Sequence, residues 1–198
     1  MNLPPPKLPA ALAQLAVTRS FGSGEAVFRK GAPARHVHFL AEGRVTLSRF
    51  GLQGEEVAIH AAQAGEFFAE AALHSERYHC TAVVAQPAVV ASVPSDPLRA
   101  LLRSDADFAM QWLTIVSGQL RLARTRVERL CLKGAAERLR HLLLTEGSGA
   151  THRYTLRGTL KDLAVDLGLT HESLYRTLAA MEREGVIARD AATLALLK

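Results

Sequence analysis

The run from Thr159 to Ile187, TLKDLAVDLGLTHESLYRTLAAMEREGVI, limits the fold more than any other stretch of this chain. Thr159 carries the hydroxyl of a helix N-cap. Asp162, three residues on, carries the carboxylate that reciprocates it, so a helix is expected from Leu160. Leu163, Ala164 and Leu167 then share one helical face. Gly168 ends that helix, because glycine enters positive φ without a Cβ clash. Thr170 supplies a second N-cap, and Leu174, Leu178 and Met181 give the second helix its buried stripe. Two short capped helices joined by a three-residue turn at a glycine predict a helix-turn-helix.

The opposite face of the second helix carries His171, Glu172, Tyr175 and Arg176. In a helix-turn-helix the first turn of the second helix meets base edges in the major groove. Arginine pairs bidentately with guanine, and glutamate accepts from the cytosine amino group. Glu172 and Arg176 are four residues apart, so they point the same way and can address neighbouring base pairs. An ordinary ion pair on a solvated face is the competing reading; the capped frame around the pair favours base reading.

The chain has 198 residues, enough for two small domains. Its 24 lysines and arginines exceed 19 acids, a net charge of +5 that suits a polyanionic partner without demanding one. Only two cysteines are present, Cys80 and Cys131, so a disulfide framework or a cysteine zinc site is not expected. The first residues, MNLPPPKLPA, lack the apolar core of a signal peptide, and no apolar run reaches membrane-spanning length. A cytoplasmic protein without membrane contact is the expectation.

Pro4 to Pro9 reads as an extended lead-in, and Leu8 to Thr18 as a short amphipathic helix with Leu12 and Leu15 inward. From Phe21 to about Val93 short apolar runs alternate with glycine turns. The runs are Ala26–Phe28, Val37–Leu40, Val45–Arg49, Val57–Ala61, Thr81–Ala85 and Ala88–Val93. Strands of that length, about ten residues apart, predict a β-sandwich or jelly roll. Ser95 to Arg103 reads as a connecting helix. Asp105 to Leu132 reads as a long one, in which Leu113, Val116, Leu120, Ala123, Val127 and Leu130 keep the alternating three-four spacing of a coiled-coil seam. Trp112 and Ile115 lie beside that seam and can pack on the roll. Gly134 marks a break. Ala135 to Leu144 forms a further helix with Ala136, Leu139 and Leu143 inward. Tyr154–Leu156 is a short strand, and Gly185–Arg189 with Thr193–Leu197 reads as a two-stranded wing.

These letters resemble the Crp/Fnr family of bacterial transcription regulators. The resemblance rests on D-L-A at 162–164, L-G-x-T at 167–170, Glu172-Ser173, Arg176 and Leu178. In the roll it rests on Glu25-x-Val27-Phe28, Gly31, Val37, Gly43, Gly65-Glu66-Phe67 and Glu70. It covers nearly the whole chain. The fold it implies is α+β: a cyclic-nucleotide-binding-like jelly roll over 1–103, a dimerisation helix over 104–133 and a winged helix-turn-helix over 134–198. It also implies a homodimer on double-stranded DNA, an inverted-repeat operator with a TGA-like half-site core, and RNA polymerase as a further partner. Base contacts then fall to His171, Glu172, Ser173 and Arg176. Phosphate contacts, which position without specifying, fall to Arg153, Arg157, Lys161, Thr170, Tyr175 and Arg189. His171 and Tyr175 depart from the best-known members, so the flanking bases stay open.

The effector pocket breaks the pattern. Nucleotide-binding relatives place Gly-Glu about ten residues before Arg-Ser or Arg-Thr. Aligning Glu70 to that glutamate puts Ala69 at the glycine, Cys80 at the arginine and Thr81 at the hydroxyl residue. A cysteine cannot supply the forked cation a cyclic phosphate needs. No cofactor is therefore expected, and cyclic AMP is not the expected ligand; a small-molecule effector stays open, and Arg77 lies in the preceding loop. Two rival readings use the roll differently. His36-x-His38 with Glu42 resembles half of a cupin metal motif, which would make the roll a metal-binding enzyme. The other half of that motif is missing, and the expected protein is not an enzyme. His79-Cys80 would suit a haem or redox sensor, against a buried inert thiol.

Overall fold

The computed structural model describes residues 10–51, 54 and 56–197. The stretch Pro4–Pro9 lies outside the described residues. The chain divides into two compact units, one through Val116 and one from Ser117 onward. The division falls inside the long helix rather than at either of its ends.

In the first unit, helix α1 (Ala10–Ala13) is followed by strands β1 (Val17–Phe21), β2 (Ala26–Phe28), β3 (His36–Phe50), β4 (Glu56–Gln63), β5 (Phe67–Phe68) and β6 (Thr81–Pro94). A single 3₁₀ turn, Glu70–Ala72, precedes β6. All strand pairings are antiparallel, in the order β1-β6-β3-β4, with β2 on β6 and β5 on β3. Strand β3 pairs with β6 from His36↔Pro94 to Ser48↔Thr81. Helix α2 (Ser95–Ser104) closes the roll and leads to α3 (Ala106–Cys131), whose first turn is capped by Asp105 accepting from the Phe108 N–H at 2.9 Å.

Two differences from the sequence reading have a common cause. The predicted helix over 8–18 stops at Ala13, and Val17–Thr18 instead starts β1, paired at Val17↔Ser92. Leu12 is fully buried as expected, but Leu15 is exposed. A four-residue helix has little stability of its own, so hydrogen bonding to the open edge of β6 decides the segment. Likewise, the runs 37–40 and 45–49 belong to one strand, as do 81–85 and 88–93. Gly43 suggested a turn; it lies opposite Pro87 where the register shifts between Glu42 and Val45. A bulge accommodates both: a proline needs no ladder hydrogen bond there. Gly43 has φ +87°, and a Cβ on it would lie 2.2 Å from the Pro87 carbonyl oxygen.

Both faces of β3 are buried, which is why its sequence is apolar without simple alternation. Leu40, Val45 and Leu47 join Phe68, Val84 and Val90 inside the roll. Val37 and Phe39 lie in a second cluster with Phe67, Val93, Leu98, Phe108 and Trp112. The Trp112 ring meets Phe67 edge-on at 5.1 Å, and Ile115 packs on the same cluster. That pairing seats the first turns of α3 on the roll, as its residues predicted.

In the second unit α4 (Ala135–Glu146), β7 (Tyr154–Thr155), α5 (Leu160–Asp166), α6 (His171–Arg183), β8 (Ile187–Arg189) and β9 (Thr193–Leu196) surround one core. The three strands order as β7-β9-β8. Leu139 and Leu143 of α4 point inward as expected, but Ala136 is exposed and Leu142 takes the buried place. The inward face is centred on the three leucines, which remove more apolar area from water than an alanine does.

Candidate nucleic-acid interface and roll cavity

The helix-turn-helix is built by side chains that cap its own backbone. Thr159 Oγ1 accepts from the Asp162 N–H at 3.2 Å, and Asp162 Oδ2 accepts from the Thr159 N–H at 2.8 Å. Gly168 adopts φ +62°, and Thr170 Oγ1 then accepts from the Ser173 N–H at 3.1 Å. Leu163, Ala164, Leu167, Leu174, Leu178 and Met181 are all buried. This burial fixes the rotation of α6, so His171, Glu172, Tyr175 and Arg176 are left exposed at its first two turns. Arg176 Nη1 lies 3.8 Å from Glu172 Oε1, with both side chains largely in solvent. The His171 and Tyr175 rings stand 4.4 Å apart beside them. Ser173 is half-buried, its N–H held by the cap.

The cationic residues assigned to phosphate are mostly engaged within the fold. Arg189 pairs with Glu182 at 3.2 Å, Arg153 lies 3.9 Å from Asp190, and Arg157 meets Glu146 at 3.2 Å. Lys161 is exposed. Glu146 is shared: its other oxygen accepts from Arg129, a guanidinium of α3 that is only 2% exposed and also donates to Thr145 Oγ1 at 3.3 Å. Sequence spacing could not reveal this Arg129–Glu146–Arg157 group, because its members lie on three separate segments. At the wing tip Asp190 accepts from the Ala192 and Thr193 N–H groups, and these bonds hold its carboxyl below the usual range.

The seam residues of α3 are uncovered. Leu113 is 55% exposed, Leu120 50% and Val127 62%; Leu130 and Ala123 are exposed too. Val116 differs, being half-buried against the Trp112 cluster.

In the roll, a cavity of about 220 Å³ is lined by Ala69, Glu70 and Cys80 together with Arg49, His60, Tyr78 and His79. Thr81, assigned to the same pocket, instead accepts from the Lys30 N–H at 3.1 Å. Ala69 holds φ +63°, a left-handed backbone that favours glycine. Burial raises the Glu70 pKa, while the N–H groups of Glu70 and Ala71 oppose the rise. Burial also pushes the Cys80 thiol up, against a nearby Arg49. Arg77 donates to the Gly31 carbonyl at 2.7 Å and does not line the cavity. Arg49 was missed by the sequence reading. Its signal was the alternation Val45, Leu47, Arg49, which puts an arginine on the core face of a strand.

Residues 18–105 match the cyclic nucleotide-binding domain family, and residues 137–197 match the Crp-like helix-turn-helix domain family. The chain belongs to the Crp/Fnr family of transcription regulators. It is 27% identical over 170 residues to the global nitrogen regulator of Synechocystis sp., covering 83% of this chain and 72% of that one. It is 25% identical over 173 residues to the cyclic AMP receptor protein of Thermus thermophilus, covering 85% and 78%. FixK2 from Bradyrhizobium japonicum shares the fold with a TM-score of 0.74 at 23% identity, over 92% of this chain and 93% of that one. A CRP/FNR family regulator from T. thermophilus does so with a TM-score of 0.62 at 24% identity, over 92% and 94%.

Within this Crp/Fnr roll, the two histidines that resembled half a metal motif have unequal surroundings. His38 is buried and its ring packs against those of Phe28 and Phe68, at 5.3 and 5.1 Å. The Tyr78 hydroxyl donates to the His36 carbonyl at 2.7 Å, so it must accept from His38 Nε2, 3.2 Å away. The network therefore assigns the proton to Nε2 and leaves Nδ1 to accept from Ser92 Oγ at 3.0 Å. Both ring nitrogens are used in holding β3 to β6 and to the loop before it. Glu42 is exposed. Among the described residues, no group of three or more His, Cys, Asp or Glu is placed to hold a metal ion. No helix among them is long and apolar enough to cross a membrane.

Burial, with a smaller contribution from His36, lowers the His38 pKa to about 3. The folded state thus disfavours the imidazolium that the unfolded chain forms below about pH 6.5. Stability carried by neutral His38 is complete above pH 6.5 and is lost progressively as pH falls toward 3. Urea unfolding at pH 7 and pH 5 should differ by about 2 kcal/mol from this group, at roughly 1.4 kcal/mol per pH unit. His38→Gln should remove most of that slope; an unchanged slope would show that other groups carry it.

Proposed function

We propose that this regulator binds DNA as a homodimer, with α6 of each protomer in the major groove of an inverted repeat whose half-site has a TGA-like core. The observation that carries the reading is the first turn of α6. Its apolar stripe is fully buried, and Glu172 and Arg176 stand clear of the fold on the opposite face. Glu172 and Arg176 read bases, flanked by His171 and Ser173. Lys161, Arg153, Arg157 and Arg189, with Thr170 and Tyr175, meet phosphates; the arginines exchange an internal carboxylate for a phosphate when they do so. Two-fold symmetry places the recognition helices about 34 Å apart. The protein acts in the cytoplasm, and contact with RNA polymerase conveys the output.

The roll regulates rather than catalyses. It takes no effector or a non-nucleotide one, because the position aligned with the phosphate-binding arginine is Cys80, whose thiol is buried and uncharged. Arg49 enters the cavity from a different strand and does not restore that alignment.

Selection of sites from a random DNA pool with ligand-free protein tests this. An inverted repeat should emerge, and adding cyclic AMP should leave its affinity unchanged. Arg176→Ala should lose about 1–3 kcal/mol on the selected site and relax the choice at one base pair per half-site. Equal binding of all sequences by the wild type would remove the assignment.

A further inference from the structure

Arg138 is the fourth residue of α4, with its own N–H bonded to the Gly134 carbonyl. A cation in the first turn of a helix is opposed by the positive end of the helix dipole. Its guanidinium, however, turns toward the ends of two other helices. Nε donates to the Leu132 carbonyl at 2.8 Å, immediately beyond α3. Nη1 donates to the carbonyls of Leu167 and Gly168, both at 3.1 Å, in the turn between α5 and α6. One planar fork thus satisfies carbonyls at the negative ends of α3 and α5 together.

A second contact joins the same two places. Gly168 is seated so closely on the last turn of α3 that an added Cβ would lie 2.8 Å from Leu130 Cδ2 and 3.2 Å from Arg138 Nη1. Leu130 is itself a residue of the exposed seam. Gly168 stands two residues before Thr170, the cap that opens α6. The seam, the fork and the start of the recognition helix are therefore consecutive in space.

We propose that Arg138 is a positioning residue that sets the angle of the recognition helix to the long helix, and so selects the spacing of half-sites. Its guanidinium is used on the carbonyls of Leu132, Leu167 and Gly168 of its own chain. The inference rests on the dimeric reading above, and it concerns geometry rather than base identity. Capping for stability alone would not need one side chain to bridge the two helix ends. Lysine cannot replace it, since a single ammonium lacks the separated donors that reach Leu132 and Gly168 at once.

The test measures binding of the full chain to inverted repeats carrying the selected half-site with the spacer varied by one and two base pairs. Wild type should show one preferred spacer. Arg138→Ala and Arg138→Lys should each reduce that preference by about tenfold, with the choice of bases in the half-site unchanged. Arg138→Lys keeps charge and bulk, so it reports on the fork even where the alanine variant is poorly folded. A wild-type preference retained in the lysine variant would overturn the assignment to Arg138. A loss of base choice equal to the loss of spacer preference would show a general structural role and overturn it too. A wild type indifferent to spacer would sink the dimeric reading itself, and the proposal with it.

Discussion

Replacing Glu146 by alanine should destabilise the second unit by about 3–5 kcal/mol, the range expected when one partner of a buried ion pair is removed. Arg129 is almost wholly buried, and its guanidinium meets Glu146 and the Thr145 hydroxyl. Arginine cannot shed its proton to escape burial. Without the carboxylate it must keep an uncompensated charge inside the fold or pull the end of α3 away from α4. Arg157 loses one contact as well, but it is 45% exposed, and water compensates for that contact. Urea unfolding would give the loss, and hydrogen exchange at the α4 and α6 amides would place it in this unit. Replacing both buried partners, as Arg129→Met with Glu146→Leu, should recover most of the stability, because the desolvation of two charges disappears along with their attraction. If the double variant were as unstable as Glu146→Ala, packing rather than charge would explain the loss.

The second large effect concerns the seam of α3. Leu120→Glu with Val127→Glu should leave each protomer folded, since both side chains are half or more exposed in the single chain. The same pair should abolish the proposed dimer. Fully burying an aliphatic side chain contributes about 1.5–3 kcal/mol, and the four lost per dimer are each about half exposed in the single chain, so the dissociation constant should rise by at least about a hundredfold. Sedimentation equilibrium would read this directly. On DNA, tight binding to an inverted repeat should give way to weak independent binding of half-sites, because the second contact would no longer be intramolecular. A charged variant that remained dimeric would place the interface elsewhere.

The candidate site was legible to different depths in its two parts. Thr159, Asp162 and Thr170 act through neighbours three residues away and appear in the structure with the bonds their spacing implied, and Gly168 takes the positive φ expected of it. The periodicity of Leu174, Leu178 and Met181 then settled which face of α6 meets solvent. The roll cavity was only half legible. Ala69, Glu70 and Cys80 were placed together through resemblance, but Thr81 turns to Lys30, and Arg49 comes from β3 on the other side. Arg49 keeps the alternation of Val45 and Leu47 along β3, but its sharing of a cavity with Glu70 and Cys80 depends on the pairing of distant segments. No local spacing records that pairing.

By itself, the sequence determined what short-range physics controls: the two capped helices and their glycine turn, the apolar stripe left along α3, and a roll of alternating strands. The tertiary structure alone decided which strands are continuous, where Val17–Phe21 pairs, and how Arg129, Arg138 and Arg157 find acceptors from other elements. Those outcomes depend on backbone groups and charges that must be satisfied once water is excluded. Their partners lie at separations that the helical and strand periods do not encode.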